Sequence, residues 1–520
     1  MKFIQILYQI LYRLKNLCRR LFGLSYPLFV DHSSTCLAFN EFISKNVSYK
    51  GDMTFSFLNI EHSFCGNVDW NINAYGKLWA YNLNYMDYLL QRNMSGDTGV
   101  MLIKNFIEGI GQNIVGIEPY PISLRGENWI KFLSVNTCLF EESVIKRIKG
   151  SLYAQYKILY NNLEYNILAN HLFENGISLL FGALYFKDER FYKKSYKLLN
   201  RQLNEQILED GGHFELSTMY HRIILDRILD GINLLQNNFI FYSQKKLLDL
   251  MIEKAVKMLG WLNAMTFSNG DMPLLNDSAT DIAPSSEELI KYSLRLGIPF
   301  RESRKYRLTD SGYRKYDGTD YECIIDVGPI GAHYQPGHAH ADTFNFVVDV
   351  HGKEFVIDPG ISTYENNHVR NCERGTGFHN TVILNNRDSS EIWSAFRVAK
   401  RAETTIVHED PSNVVAYHNG YGNVMHVREW RFYENKIIIK DDIAGNKKIY
   451  DARLHILLSP EMHPVIKNDA ILTENGIITI CGCKQLSLLS VNVPDGYNKY
   501  IETIMVEAFF EKAVTTIIEF

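Results

Sequence analysis

No stretch of this 520-residue chain is a long apolar run. Its most apolar opening, Phe3 to Tyr12, is broken by Gln5 and Gln9 and is too short to span a bilayer. Charge of one sign is also missing. Lys and Arg number 54 against 59 Asp and Glu, for a net charge of -5, so the overall field gives no sign of nucleic-acid binding. An anionic substrate would have to be met by a local basic or amide-rich pocket. Cysteines are few, eight in all, at 18, 36, 65, 138, 323, 372, 481 and 483. They show no zinc-ribbon spacing, and Cys481-Gly482-Cys483 is too tight for an ordinary disulfide. The expectation is free, buried thiols and a reducing compartment. Cys372 is a minor candidate for a metal contact. There is no phosphate-cradling glycine loop, no Gly-x-Ser-x-Gly elbow and no His-Glu-x-x-His helix, which excludes three common enzyme classes in their usual form.

What is present begins with ordinary globular composition, 46% hydrophobic and 22% charged. The length implies two or three domains. The 31 Tyr and 29 Phe are read first as core and second as sugar-stacking platforms. After the opening apolar run come Arg13, Lys15, Arg19 and Arg20. No small-residue cleavage site follows, and the charge lies on the wrong side for a secretory signal. Residues 1–22 are read either as a basic amphipathic helix at a membrane surface or as a domain-capping helix.

From about Tyr75 to Leu296 the pattern is helical, with Leu203, Gln206 and Ile207, then Ile223, Leu225, Leu229 and Ile232, recurring at three- and four-residue steps. Breaks are expected at Asn175-Gly176, Asp210-Gly211-Gly212 and Ser268-Asn269-Gly270-Asp271. Successive helical hairpins suggest a bundle or an α/α toroid. The segment 281–306 reads as a junction. Beyond it the pattern alternates. Thr343 to Val350 and Lys353 to Ile357 form a hairpin about His351-Gly352, followed by strands over 413–417, 424–433, 436–440, 452–458, 477–481 and 486–493. The expected fold is α+β multidomain, an N-terminal α/α toroid (an incomplete helical barrel) followed by a C-terminal antiparallel β-sandwich. Expected boundaries are an extension over 1–70, the toroid over 71–300 and the sandwich over 301–520, with a cleft between the two domains.

The densest chemistry lies in Gly337-His338-Ala339-His340-Ala341-Asp342, Ile357-Asp358-Pro359-Gly360 and His379-Asn380-Thr381. Histidine is both the usual first-row metal ligand and the usual proton shuttle. On a strand, His338 and His340 would share a face, one toward a metal and the other toward a cleft. Asp358 and His379 could complete a two-His, one-carboxylate zinc set. A two-residue turn at His351-Gly352, however, pairs Asp358 with Asn345 rather than with His340. A metal site and a hydrogen-bonded histidine cluster therefore both stand at this point.

The helical half offers Asn170-His171 and the run Gly211 to His221, including Glu215, Tyr220 and His221. Amide and imidazole donors can hold a carboxylate neutral, and a tyrosine can move a proton when neighbouring donors lower its pKa. The competing readings are an Asn cap, a core His and a packed Tyr. Arg125 with Asn128 and Trp129 would suit an anionic sugar, or start a helix. Asn276-Asp277 and Arg374 are polar loop groups, the latter a candidate for a carboxylate. Glu391, Trp393 and Arg397 could line a cleft edge.

Taken in order, these motifs resemble the heparinase II/III-like polysaccharide lyases, most strongly over 160–400. The resemblance rests on Asn170-His171, Phe214-Glu215-x-Ser217-x-x-Tyr220-His221, Gly337 to Asp342, Ile357 to Gly360 and His379-Asn380-Thr381. Tyr81-Asn82-Leu83-Asn84-Tyr85 and Ser123-Leu124-Arg125 further resemble the subgroup encoded among bacterial surface-polysaccharide genes. The resemblance implies β-elimination on a uronic-acid-containing glycan. Asn170 and His171 would neutralise the uronate carboxylate, Tyr220 would serve as acid and base, and His338 would be the second proton-transfer group. Arg125, Asn128, Glu215, His221 and Arg374 would contact substrate. His340, Asp358 and His379 would hold one structural zinc, and no organic cofactor is implied. Two alternatives are a glycan-binding or assembly protein that has lost turnover and a metal-dependent glycan hydrolase. The implied partner is an anionic polysaccharide, with no nucleic acid and a peripheral membrane contact through 1–22. The location is the cytoplasm or inner membrane, with the periplasm left open.

Overall fold

Helix α4 (Pro119–Asn136) is buried on every side from Pro121 to Leu133. A helix buried all round, its charged Arg125, Glu127 and Lys131 included, belongs inside a bundle. It packs on α6 (Ala169–Phe186), which is equally buried, within a series that also holds α1 (Phe3–Leu21), α2 (Lys77–Tyr85), α3 (Gly96–Gly109), α5 (Glu142–Asn161) and α7 (Glu189–Gln206). The series continues through α8 (Thr218–Asn237), α9 (Gln244–Met265) and α10 (Ser286–Arg295). These coordinates are a computed structural model that describes residues 2–136, 140–300, 307–446, 450–467 and 470–520. Cys138 and the 301–306 end of the expected junction lie outside the described residues.

Asn175-Gly176 does not break the chain as expected but lies inside α6. Gly176 has no side chain, so α7 packs closely there: a Cβ would sit 2.6 Å from a methyl of Leu198. A small hairpin sheet, β1 (Tyr49–Gly51), β2 (Thr54–Phe57) and β3 (Ile60–Ser63), precedes α2.

The C-terminal part is antiparallel sheet. One four-stranded sheet runs β4 (Tyr313–Asp317), β5 (Tyr321–Asp326), β6 (Phe346–Val350) and β7 (Lys353–Val356). Val350 faces Lys353 across the expected His351-Gly352 turn, and a bulge after Val348 shifts the register by one residue. Helix α11 (His368–Glu373) follows, capped by the Asn367 side chain accepting from Arg370 N. Next come β8 (Val382–Leu384) and the hairpin of β9 (Glu391–Trp393) and β10 (Arg397–Ala399). Then follow β11 (Thr404–Asp410), β12 (Asn413–His418), β13 (Met425–Tyr433), β14 (Lys436–Ala444), β15 (Ala452–Leu457), β16 (Val465–Lys467), β17 (Ala470–Leu472), β18 (Ile477–Cys481), β19 (Gln485–Pro494), β20 (Tyr500–Phe510) and β21 (Ala513–Glu519). The eight-stranded sheet is ordered β11-β12-β13-β14-β21-β18-β17-β16 and the other four-stranded sheet β19-β20-β15-β8.

Burial alternates strictly along β13 and β14, as one-face packing requires. Cys323, Phe346, Val348, Trp430, Ile439 and Val506 share one apolar core. By contacts the chain forms two compact units, one of residues 1–206, 224–256 and 288–299, the other of 207–223, 257–287 and 300–520.

No disulfide occurs among the described residues. The free thiols of Cys18, Cys36, Cys65, Cys372 and Cys481 are exposed, contrary to the expectation of burial, and Cys323 is the buried one.

Candidate functional site

The second unit brings two distant segments, one carrying His338 and His340 and the other Arg370, to one carboxylate. Asp277 is fully buried and receives both sides of the Arg370 guanidinium, Nη1 to Oδ1 at 2.5 Å and Nη2 to Oδ2 at 2.6 Å. His338 Nδ1 lies 2.8 Å from Oδ2 and His340 Nε2 lies 2.9 Å from Oδ1. Burial by itself would raise this carboxyl. The Arg370 charge and the hydrogen bonds from His338, His340 and Arg370 outweigh it, holding the group well below the carboxylate range. An ionised carboxylate only accepts, so the His338 proton facing it sits on Nδ1 and Nε2 is the basic nitrogen.

The Tyr220 ring lies over the His338 ring, with centroids 4.0 Å apart. Its hydroxyl is 3.2 Å from the Tyr364 hydroxyl. Tyr364 in turn stands against Phe396, and the Arg370 guanidinium lies 5.0 Å from the Tyr364 centroid. Burial pushes the Tyr220 phenol above its ordinary range, and the Tyr364 hydrogen bond only partly offsets this. The expected lowering is therefore corrected: without substrate Tyr220 is a neutral proton donor.

The backbone that carries these groups is strained. Leu216 (φ 60°) and Asn276 (φ 58°) adopt the left-handed region, which costs a non-glycine residue roughly 1 kcal/mol or more. Asn276 earns its place by bonding: its amide donates to Leu216 O and its carbonyl accepts from His340 N. Ser217 Oγ donates to the Asp277 carbonyl and accepts from Tyr220 N, tying the first turn of α8 to the same loop. Gly360 (φ 66°) permits the Asp358 loop to approach, since a Cβ there would stand 2.1 Å from Ser278 O. His338 and His340 lie on a loop, not on a strand, and still turn to one carboxylate.

In the other unit, Asn170 and His171 open α6 directly after Leu168 and Ala169, both at positive φ. His171 Nδ1 lies 3.0 Å from Glu164 Oε1, and its ring stands 4.3 Å from that of Tyr120.

The expected zinc residues form two carboxylate–imidazole pairs. Asp358 Oδ2 accepts from Asn345 Nδ2 at 2.5 Å and lies 2.9 Å from His379 Nδ1. Asp358 meets Asn345 through their side chains, although the bulge after Val348 shifts the ladder one residue from the plain two-residue-turn register. Burial opposes the charged form of His379, but Asp358 outweighs it and its pKa is raised. Burial lowers His340 to about 4. Among the described residues no group of three or more His, Cys, Asp or Glu is placed to hold a metal ion. Asp358 is engaged here by Asn345 and by His379 Nδ1, and no chemical step is routed through a metal.

Residues 127–296 match the heparinase II/III N-terminal family and residues 301–507 match the heparinase II/III-like C-terminal family. The chain belongs to the heparinase II/III-like family. A heparin-sulfate lyase of Bacteroides stercoris is 26% identical over 317 residues, covering 55% of this chain and 45% of its own length. A second, from Pedobacter heparinus, is 22% identical over 377 residues, covering 67% of this chain and 54% of its own. The chain thus spans about half the length of the curated relatives it matches. Among solved structures, a heparinase III aligns with TM-score 0.70 at 17% identity, covering 88% of this chain and 80% of that one. A heparan sulfate lyase from Pedobacter heparinus aligns with TM-score 0.58 at 17% identity, covering 90% and 81%. These likenesses establish the fold, a helical toroid followed by an antiparallel sandwich.

Within this family frame several expected substrate contacts are corrected. Arg125 is fully buried and donates to Gln155, Asn84 O and Gly116 O. Asn128 donates to Tyr85 O and Asp87. His221 is buried against Met258 O and His213 N. Arg374 spends its guanidinium on the carbonyls of Ala339, Ser394 and Ala395. All four hold backbone rather than face solvent. Glu215 is also buried, with His213 Nδ1 at 3.7 Å from its carboxylate. Cys372 is exposed beside His368. Glu391, Trp393 and Arg397 sit on the exposed β9–β10 hairpin. Sequence reasoning missed Arg370 and Tyr364 and rated Asp277 as a minor loop group. The available signal was a buried-type loop, Leu274-Leu275-Asn276-Asp277, with one amide and one carboxylate in apolar company.

Proposed function

We propose that this chain is a polysaccharide lyase that cleaves a uronic-acid-containing glycan by β-elimination. The observation that carries the reading is the stacked Tyr220–His338 pair, with His338 held by an ionised, Arg370-locked Asp277. The C5 proton of a uronate is weakly acidic, and neutralising the C6 carboxylate lets the developing enolate charge spread onto it. Asn170 and His171 are assigned that neutralising role. His338 Nε2 takes the C5 proton, the electron pair forms the C4=C5 double bond, and the C4–O bond breaks as Tyr220 protonates the leaving oxygen. Atoms and charge balance without a redox cofactor. A neutral, pKa-raised phenol suits the acid role. The names of the relatives and the subgroup resemblance suggest heparan-type or bacterial surface polysaccharide as substrate.

The test is incubation with heparan sulfate, alginate and bacterial surface glycans while following the ultraviolet absorbance of the unsaturated product. Absorbance growing with time supports the reading. Tight glycan binding without product on every glycan moves it to a non-catalytic binding or assembly protein.

One observation favours a structural zinc as a finer feature. His340 Nδ1 and His379 Nε2 are buried without hydrogen-bond partners, and their rings lie 5.2 Å apart. With Asp358 they would make the two-His, one-carboxylate set. Elemental analysis of the purified chain, with melting curves before and after chelation, tests this. Stoichiometric zinc whose removal lowers the melting temperature supports it. A metal-free, equally stable protein ends it.

A further inference from the structure

Helix α1 packs the wrong way round for a capping helix. Its inward stripe is polar: Gln5, Tyr8, Tyr12, Lys15 and Arg19 follow one another at three- and four-residue steps. Gln5, the buried residue of the helix, donates to Ile167 O at 3.0 Å. Tyr12 donates to Leu163 O, Lys15 donates to Asn161 O at 2.9 Å, and the Tyr8 ring stands 4.7 Å from that of Tyr165. The opposite stripe, Phe3, Ile6, Ile10, Leu14, Leu17 and Leu21, is exposed, from 43% at Ile6 to 79% at Phe3. An amphipathic helix on a globular body normally buries that stripe. A continuous apolar ribbon about 28 Å long, at 1.5 Å per residue, is far more than scattered surface leucines.

Charge identifies the occupant. Residues 2–22 contain no Asp or Glu; of their basic residues Lys2 pairs with Glu205, and Lys15 and Arg19 lie on the inward stripe. Arg13 and Arg20 are exposed two turns apart along one flank of the ribbon. Pairing with a second copy would bring those cations together. Anionic lipid headgroups would neutralise them while the ribbon enters the acyl boundary. No described helix is long and apolar enough to cross a membrane, so the contact lies in the interface plane.

We infer that α1 docks the chain on an anionic lipid surface, apolar ribbon inward. The test is flotation of the full chain with vesicles of phosphatidylcholine alone and of phosphatidylcholine mixed with phosphatidylglycerol. Binding is expected to the anionic vesicles and to weaken as salt is raised. Leu14→Glu with Leu17→Glu, and separately Arg13→Glu with Arg20→Glu, should each lower the bound fraction by about tenfold or more, with the melting temperature unchanged. Wild-type protein that stays in solution with anionic vesicles, or variants that float as well as wild type, would overturn the inference. A dimer in light scattering that the leucine variant dissociates, without vesicle binding, would assign the ribbon to a second copy instead.

Discussion

His338 and His171 are built from the same parts and set in different surroundings. Each has a carboxylate on Nδ1, Asp277 at 2.8 Å and Glu164 at 3.0 Å, and each has a tyrosine ring beside it, Tyr220 at 4.0 Å and Tyr120 at 4.3 Å. The difference lies one layer out. Asp277 is locked by Arg370 and shared with His340, and its side chain has no exposed surface. Glu164 is held by the neutral Asn175, whose side-chain nitrogen donates to its carboxylate and whose side-chain oxygen accepts from its backbone N–H. His338 is 11% exposed and His171 28%. A fixed charge that must not move suits a group that exchanges a proton at a set position. An open imidazole with a softer partner suits a group that meets a substrate carboxylate.

The contrast can be broken by mutation. His338→Ala should lower kcat by about 10²–10⁴ with KM little changed, whereas His171→Ala should lower kcat less and raise KM as well, since it meets the carboxylate in ground state and transition state alike. Steady-state kinetics on any glycan that turns over will tell the two apart, and equal effects on kcat would erase the distinction. Asp277→Asn leaves Arg370 buried without its counter-charge and should cost about 3–5 kcal/mol of stability in denaturant melts. Glu164→Gln removes no buried ion partner of that kind and should cost about 1 kcal/mol.

A pH slope supplies a further test. Burial lowers His221 from its ordinary 6.5 to about 3. Its folded pKa is depressed, so the unfolded chain binds more protons between those values. Stability is full above about 6.5 and lost as pH falls toward 3. His221→Gln should flatten that part of the melting-temperature curve, and an unchanged slope would remove the assignment.

Much of this was legible in the chain. The strand runs at 477–481 and 486–493 and the His351-Gly352 hairpin are local, set by alternation and turn chemistry, and they were read to within a residue or two. Motif order carried Tyr220 and His338. What the chain hid was long-range. Arg370 reaches Asp277 across 93 residues, and no periodicity links them. Arg125 looked like a sugar-binding cation because nothing local announces that α4 is buried all round. The polar inward stripe of α1 was hidden likewise, since amphipathicity states that a helix has two faces and not which one the body takes.

The most direct test of the central claim is the initial rate of Tyr220→Phe, measured beside its melting curve. Removing one oxygen from a half-buried ring should lower turnover by about 10²–10⁴ while the melting temperature stays within a few degrees of wild type. Wild-type turnover in a well-folded Tyr220→Phe protein would contradict the account.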